Sequence, residues 1–141
     1  MSSNIIMLVL VVSMIFAGCS SKEKNEYTIT ERVVASDFVL EVTTPTVLGT
    51  GEALKVKGTL KYTGIKPVEV FHGKPIIRFS FSGSNEERSY MDIGYFTEFK
   101  SGQVVEVEDE FMVTKRGKQN LFVDMTGDIL LTMNPIEIRV N

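Results

Sequence analysis

From Tyr27 onward the apolar residues recur with a period of two, the spacing that places alternate side chains on opposite faces of a β-strand. The segment ALKVKGTLKY shows it most clearly. Leu54, Val56, Leu60 and Tyr62 fall on one face, and Lys55, Lys57, Thr59 and Lys61 on the other. DFVLEV groups Phe38, Leu40 and Val42; IIRFSF groups Ile77, Phe79 and Phe81; PIEIRV groups Ile136, Ile138 and Val140. Further strands are predicted over 27–34, 68–71, 90–96, 104–113 and 120–125.

Between these runs lie LGTGE, TGIKP, SGSNEE, FKSG, KRGKQ and TGD, turn-forming stretches that each contain glycine. No segment after residue 27 sustains a helical period, and Pro67 and Pro75 oppose helix through the middle. About eight strands at this spacing predict an all-β fold, a single antiparallel two-sheet sandwich over 27–141. The chain has no tryptophan and one cysteine, so the antibody-type core signature is absent.

The pattern before residue 27 is different. Positions 1–18 carry no charged side chain, and 5–17 are apolar apart from Ser13. Thirteen helical residues at ~1.5 Å each span only ~20 Å, against a hydrocarbon core of ~30 Å. The run therefore predicts a cleaved secretory signal rather than a spanning helix.

Its last residues, Phe16-Ala17-Gly18-Cys19, resemble the lipobox of bacterial lipoproteins, with small residues at the two positions before cysteine. Phe16 stands where that family most often has leucine, and the first four residues include no lysine or arginine. The resemblance implies a diacylglycerol thioether on Cys19, cleavage between Gly18 and Cys19, and possible acylation of the new amino terminus. Two acyl chains, at ~0.8 kcal/mol per buried CH₂, suffice for stable anchoring. Residues 19–26 then form the lipidated cysteine and a polar tether, whose last seven residues reach at most ~25 Å. The expected location is the extracytoplasmic face of the cell membrane.

Composition narrows the partners. Hydrophobic residues make up 43% and charged residues 23%, enough to collapse around one core. The net charge of −3 comes from interspersed acids and bases, so nucleic acid is not an expected partner. A single cysteine allows no internal disulfide, and packing alone must hold the fold.

The run GEALKVKGTLKYTGIKPVEVFHG is similar to a stretch in bacterial surface domains of immunoglobulin-like or fibronectin-like type, found in extracytoplasmic lipoproteins of Gram-positive bacteria. The resemblance implies an immunoglobulin-like sandwich. One relative is a family of small bacterial proteinase inhibitors.

Candidate chemistry is sparse. His72, the only histidine, is expected as a partly exposed loop residue after a strand, and no oriented partner is evident from spacing. VEVEDEF, residues 105–111, invites calcium. On a strand, though, Glu106, Glu108 and Glu110 point one way at ~6.8 Å intervals and Asp109 the other, so they do not converge. Those glutamates are better placed to meet Lys55, Lys57 and Lys61 across adjacent strands. Asp109 then sits on an apolar face with no account unless a bulge resets the register.

Met91, Met112, Met125 and Met133 show no copper-binding spacing and read as core or strand-face residues. Tyr90, Tyr95 and Phe96 form a candidate aromatic patch, with Phe96 expected in the core. These readings predict no catalytic residue, no metal and no cofactor. The expected function is a membrane-anchored bacterial surface lipoprotein, a non-catalytic module for a protein or peptide partner, with SGSNEE and KRGKQ as contact loops. The alternatives are an inhibitor of secreted or envelope proteinases and a small envelope enzyme.

Overall fold

The computed structural model describes residues 27–141, so Gly18, Cys19 and the tether lie outside the described residues. The described chain is all-β, with ten strands: β1 (Thr28–Ala35), β2 (Phe38–Pro45), β3 (Val47–Leu48), β4 (Ala53–Tyr62), β5 (Val68–His72), β6 (Ile77–Phe81), β7 (Tyr95–Phe99), β8 (Val104–Met112), β9 (Gly117–Met125) and β10 (Ile136–Val140). One sheet has the order β1-β2-β4-β8 and a second β3-β10-β9-β6. These two form a β-sandwich, and β5 and β7 make a separate two-stranded ribbon.

The alternation read from the sequence decides which faces meet. Leu40, Val42, Leu54, Val56, Leu60 and Phe111 are buried on the first sheet, and Ile77, Phe79, Leu121, Ile136 and Ile138 on the second, in one continuous core. Gly58 holds an inward position on β4 among those large residues. A Cβ there would lie 2.9 Å from the Phe79 ring and 3.1 Å from Ile77, so the opposite sheet occupies the space a side chain would need.

Three elements depart from expectation. The strand predicted over 90–96 begins only at Tyr95, because 85–94 run between the sheets and the ribbon, where no strand lies alongside to complete a ladder. The strand predicted from 120 starts earlier, at Gly117, opposite Val140. Val47–Leu48 adds an unforeseen strand, parallel to β10, so the sandwich is not wholly antiparallel. Two residues are too short to leave a periodic signal.

Ten residues of β4 at ~3.4 Å each separate the two ends of the sandwich by ~30 Å. Thr28 pairs with Pro45 near one end. That end also holds the 49–52 turn, the 114–116 turn and Asn141, joined by Arg139 N–H to Thr46 O (2.8 Å), Asn141 N–H to Leu48 O (2.9 Å) and Gly51 N–H to Val113 O (2.8 Å). The ribbon crosses the opposite end. Phe99 anchors it with no exposed surface, its ring 5.4 Å from Phe38 and 6.4 Å from Tyr62. Asp128 N–H donates to Phe71 O at 2.9 Å, and Gly73 N–H to Thr126 Oγ1 at 2.9 Å, fixing its far side to the second sheet. Gly127, at φ +74°, lets that loop approach the Phe71 carbonyl so closely that a Cβ would overlap it.

Candidate functional site

The ribbon repeats the alternation of a strand pair with only one face covered. Val70, His72 and Phe99 turn inward and are buried, while Glu69, Phe71, Phe96 and Glu98 are exposed. Phe71 faces Phe96 across the ladder, and their rings lie 5.1 Å apart at 52°. Phe96 is 68% exposed, which corrects the expectation of a core position. Its neighbours Tyr95 and Thr97 take the inward side, and alternation leaves Phe96 outside.

Glu69 stands directly opposite Glu98. Like charges so placed weaken a sheet, and Lys100 Nζ, 4.0 Å from Glu98, offers only distant relief. Ile65, Met91, Ile93 and Leu130 are also exposed, in the loops that lead into the ribbon or adjoin it. Ile93 and Phe71 share a cleft of about 360 Å³ with Asp92, Asp124, Arg78 and Thr126.

His72 is the last residue of β5 and is buried, not a partly exposed loop residue. Nδ1 lies 2.7 Å from Gly73 O, and Nε2 lies 2.7 Å from Thr97 Oγ1. A carbonyl can only accept, so Nδ1–H donates to it, and Nε2 is hydrogen-bonded to the Thr97 hydroxyl. Both nitrogens are engaged, and neither is free for a metal or a substrate proton.

The acidic run stays on a strand. β8 keeps an uninterrupted register with β4, from Ala53 opposite Met112 to Lys61 opposite Val104, so there is no bulge. Lys57 Nζ meets Glu106 at 2.9 Å, and this hydrogen bond raises the lysine pKa. Lys55 faces Glu110, whereas Lys61 faces Val104 and has no glutamate opposite it. No group of three or more His, Cys, Asp or Glu side chains suited to a metal ion occurs among the described residues.

Asp109 is explained by a residue the sequence reading did not single out. Arg88 donates from Nη2 to Asp109 Oδ1 at 3.0 Å and from Nε to Oδ2 at 3.3 Å, with a further bond to Glu110 O. Its guanidinium lies 4.3 Å over the Phe111 ring. Hydrogen bonding to Asp109 raises the Arg88 pKa, opposed by burial. Glu86 accepts the Met112 N–H at 3.3 Å, and Arg78 stacks 4.4 Å from the Tyr90 ring. Residues 86–90 thus close the open side between edge strands β8 and β6. An acid placed by alternation on an apolar face was the only signal for this clasp.

The remaining candidates are spread out. Met91 and Met112 are exposed, while Met125 and Met133 pack against the core. Tyr95 is half-buried beneath Lys74, whose Nζ sits 4.2 Å from the ring. The two contact loops expected from sequence are tied together: Gly83 O accepts Thr114 N–H (2.8 Å) and Lys115 N–H (3.1 Å), and the Ser82 hydroxyl donates to Gln119 Oε1 (2.9 Å). Both sit at the Thr28 end, away from the ribbon. Gly18 and Cys19, the cleavage and lipidation positions, fall outside the described residues.

No protein-family model matches the chain, and no curated protein matches it. Among solved structures it is similar to a β-glucosidase from Listeria innocua (17% identity, TM-score 0.47), over 79% of this chain and 16% of that one. It is also similar to a CARDB domain from Pyrococcus furiosus, solved in complex with di-metal ions (15% identity, TM-score 0.46), over 74% of this chain and 88% of that one. A β-glucosidase from Erythrobacter marinus is a third (12% identity, TM-score 0.44, 82% and 16%). The chain thus spans about a sixth of the length of the glucosidases it matches.

Proposed function

We propose that this protein is a membrane-anchored bacterial surface lipoprotein whose sandwich is a non-catalytic binding module. Cys19 carries the lipid, residues 20–26 form the tether, and the outer face of the ribbon contacts a protein or peptide partner. The observation that carries the binding half is the position of the Phe71–Phe96 pair: solvent-exposed, tilted against each other at 5.1 Å, and at the end remote from Thr28, where the tether joins. The lipobox residues Phe16 to Cys19 support the anchor.

The ribbon's chemistry indicates the kind of partner. Two aromatic rings flanked by a carboxylate pair that only Lys100 partly offsets suit an apolar side chain next to a cationic one. The engaged nitrogens of His72 support a binding role over a catalytic one. The loops around 82–87 and 115–119 lie at the wrong end for an outward contact, so the contact role passes to the ribbon.

A photo-crosslinker at position 96 in living cells tests this, with position 59 on the outer face of β4 as control. The expected result is a discrete protein adduct from position 96 that Phe71→Ser removes. Equal labelling from both positions would overturn the ribbon as a contact surface.

A further inference from the structure

The Thr28 end carries its own unbalanced charge. Lys115 and Arg116 form the tip of the turn between β8 and β9 and are exposed. Lys118 stands directly opposite Arg139 on the outer face of the second sheet, both exposed. This mirrors the carboxylate pair on the ribbon, with opposite sign.

The acids nearby are largely committed. Glu137 is 3.6 Å from Lys118, Glu52 accepts the Gly49 N–H at 2.7 Å, and Glu86 is held by Arg88 and the Met112 N–H. Glu87 is exposed beside them. Lys115, Arg116 and Arg139 therefore project from this end with no ion pair among the described residues.

This is also the end from which the tether leaves. Tyr27 O accepts both the N–H and the hydroxyl of Thr46, at 2.7 and 2.8 Å, and Thr46 O accepts the Arg139 N–H at 2.8 Å. The start of the folded domain is thus hydrogen-bonded through one residue to the strand that carries Arg139. The tether residues Lys22, Glu23, Lys24 and Glu26 cancel one another, so they bring no net charge of their own. Seven extended residues reach at most ~25 Å, while charge attraction in physiological salt fades over ~8 Å. A short tether returns this end within that range repeatedly.

We propose that Lys115, Arg116, Lys118 and Arg139 form a face that rests on the anionic headgroups of the membrane, holding the sandwich upright with the ribbon outward. The orientation rests on the anchor reading above, but the lipid-binding face is measurable without it. Each basic side chain at an anionic surface contributes about fivefold to binding. The face is therefore too weak to anchor alone and strong enough to orient an anchored domain.

The test uses the chain from residue 19 with Cys19→Ser, so that no acyl chain contributes. Sedimentation compares vesicles of phosphatidylcholine with vesicles that also contain phosphatidylglycerol, at low and high salt, with thermal melting as a check of folding. The expected result is binding only to the anionic vesicles, lost at high salt, and weakened about 25-fold by Lys115→Gln with Arg116→Gln. Phe71→Ser leaves it unchanged.

Equal binding to both vesicle types would overturn the proposal, as would indifference to the Lys115 and Arg116 substitutions. So would tighter binding to soluble polyglutamate than to anionic vesicles of equal charge, which would point to an acidic protein. The anchor reading is judged separately, by the mass of Cys19 in the native protein. The two can therefore fail independently.

Discussion

Among the described residues two pairs of like charges face each other across strands, one at each end, and their surroundings differ. Lys118 and Arg139 sit in a four-stranded sheet, and Lys118 reaches Glu137 on the neighbouring strand at 3.6 Å. Glu69 and Glu98 sit on a two-stranded ribbon, relieved only by Lys100 at 4.0 Å and flanked by exposed phenylalanines. On the sheet one member of the pair, Lys118, has a close counter-charge. On the ribbon the repulsion stays exposed beside an apolar surface, where a partner's cation can meet it.

How each end is held differs as well. The Thr28 end is a mesh of backbone bonds among β3, β10 and the adjoining turns. The ribbon depends on Phe99 and a few bonds to the 126–128 loop. Phe99→Ala should therefore have the largest effect, about 3–5 kcal/mol of stability, read as a lowered denaturation midpoint. If the loss were below about 1 kcal/mol, the ribbon would not be pinned as described.

Next comes the clasp between the two ends. Arg88→Ala leaves Asp109 unpaired against Phe111 and should cost about 1–3 kcal/mol. Adding Asp109→Asn should recover part of that loss, because the stranded charge is then gone. A double variant no better than the single one would deny the pairing.

Tyr90 gives a pH-dependent effect in the same segment. Burial raises the pKa of its phenol, with Asp109 adding to the shift and Arg88 and Arg78 opposing it. Since the folded-state value lies above the unfolded one, its contribution is intact below about pH 10 and is lost as the pH rises further. Tyr90→Phe should flatten that alkaline decline in a melting-temperature profile. An unchanged profile would remove Tyr90 as its source.

The smallest effect separates the two like-charge pairs. Glu98→Gln should stabilise by about 0.2–1 kcal/mol by relieving Glu69. Lys118→Gln should gain nothing, because it gives up Glu137 along with the repulsion from Arg139. Equal responses would mean the two ends do not differ in this respect.

Much of the sandwich was legible because period-two alternation encodes burial directly. Leu54, Val56, Leu60 and Tyr62 are all buried and Lys55 and Lys61 exposed, as their spacing predicts. The site was less legible, because alternation says that two faces differ but not which is covered. Phe96 reads as core on hydrophobicity alone, and only the pairing of β7 with β5 places it outside. Asp109 and Arg88 lie 21 residues apart, and nothing in the local pattern joins them. His72 was misplaced for the same reason: its partner Thr97 comes from another strand.

The account as a whole depends on how the chain begins in the cell, since the proposed anchor is what would give the two ends opposite roles. Intact-mass and peptide mass spectrometry of the native protein measures this directly. The account predicts a mature amino terminus at Cys19 carrying a diacylglyceryl thioether, with residues 1–18 removed. An unmodified thiol at position 19, or a terminus elsewhere, would contradict it.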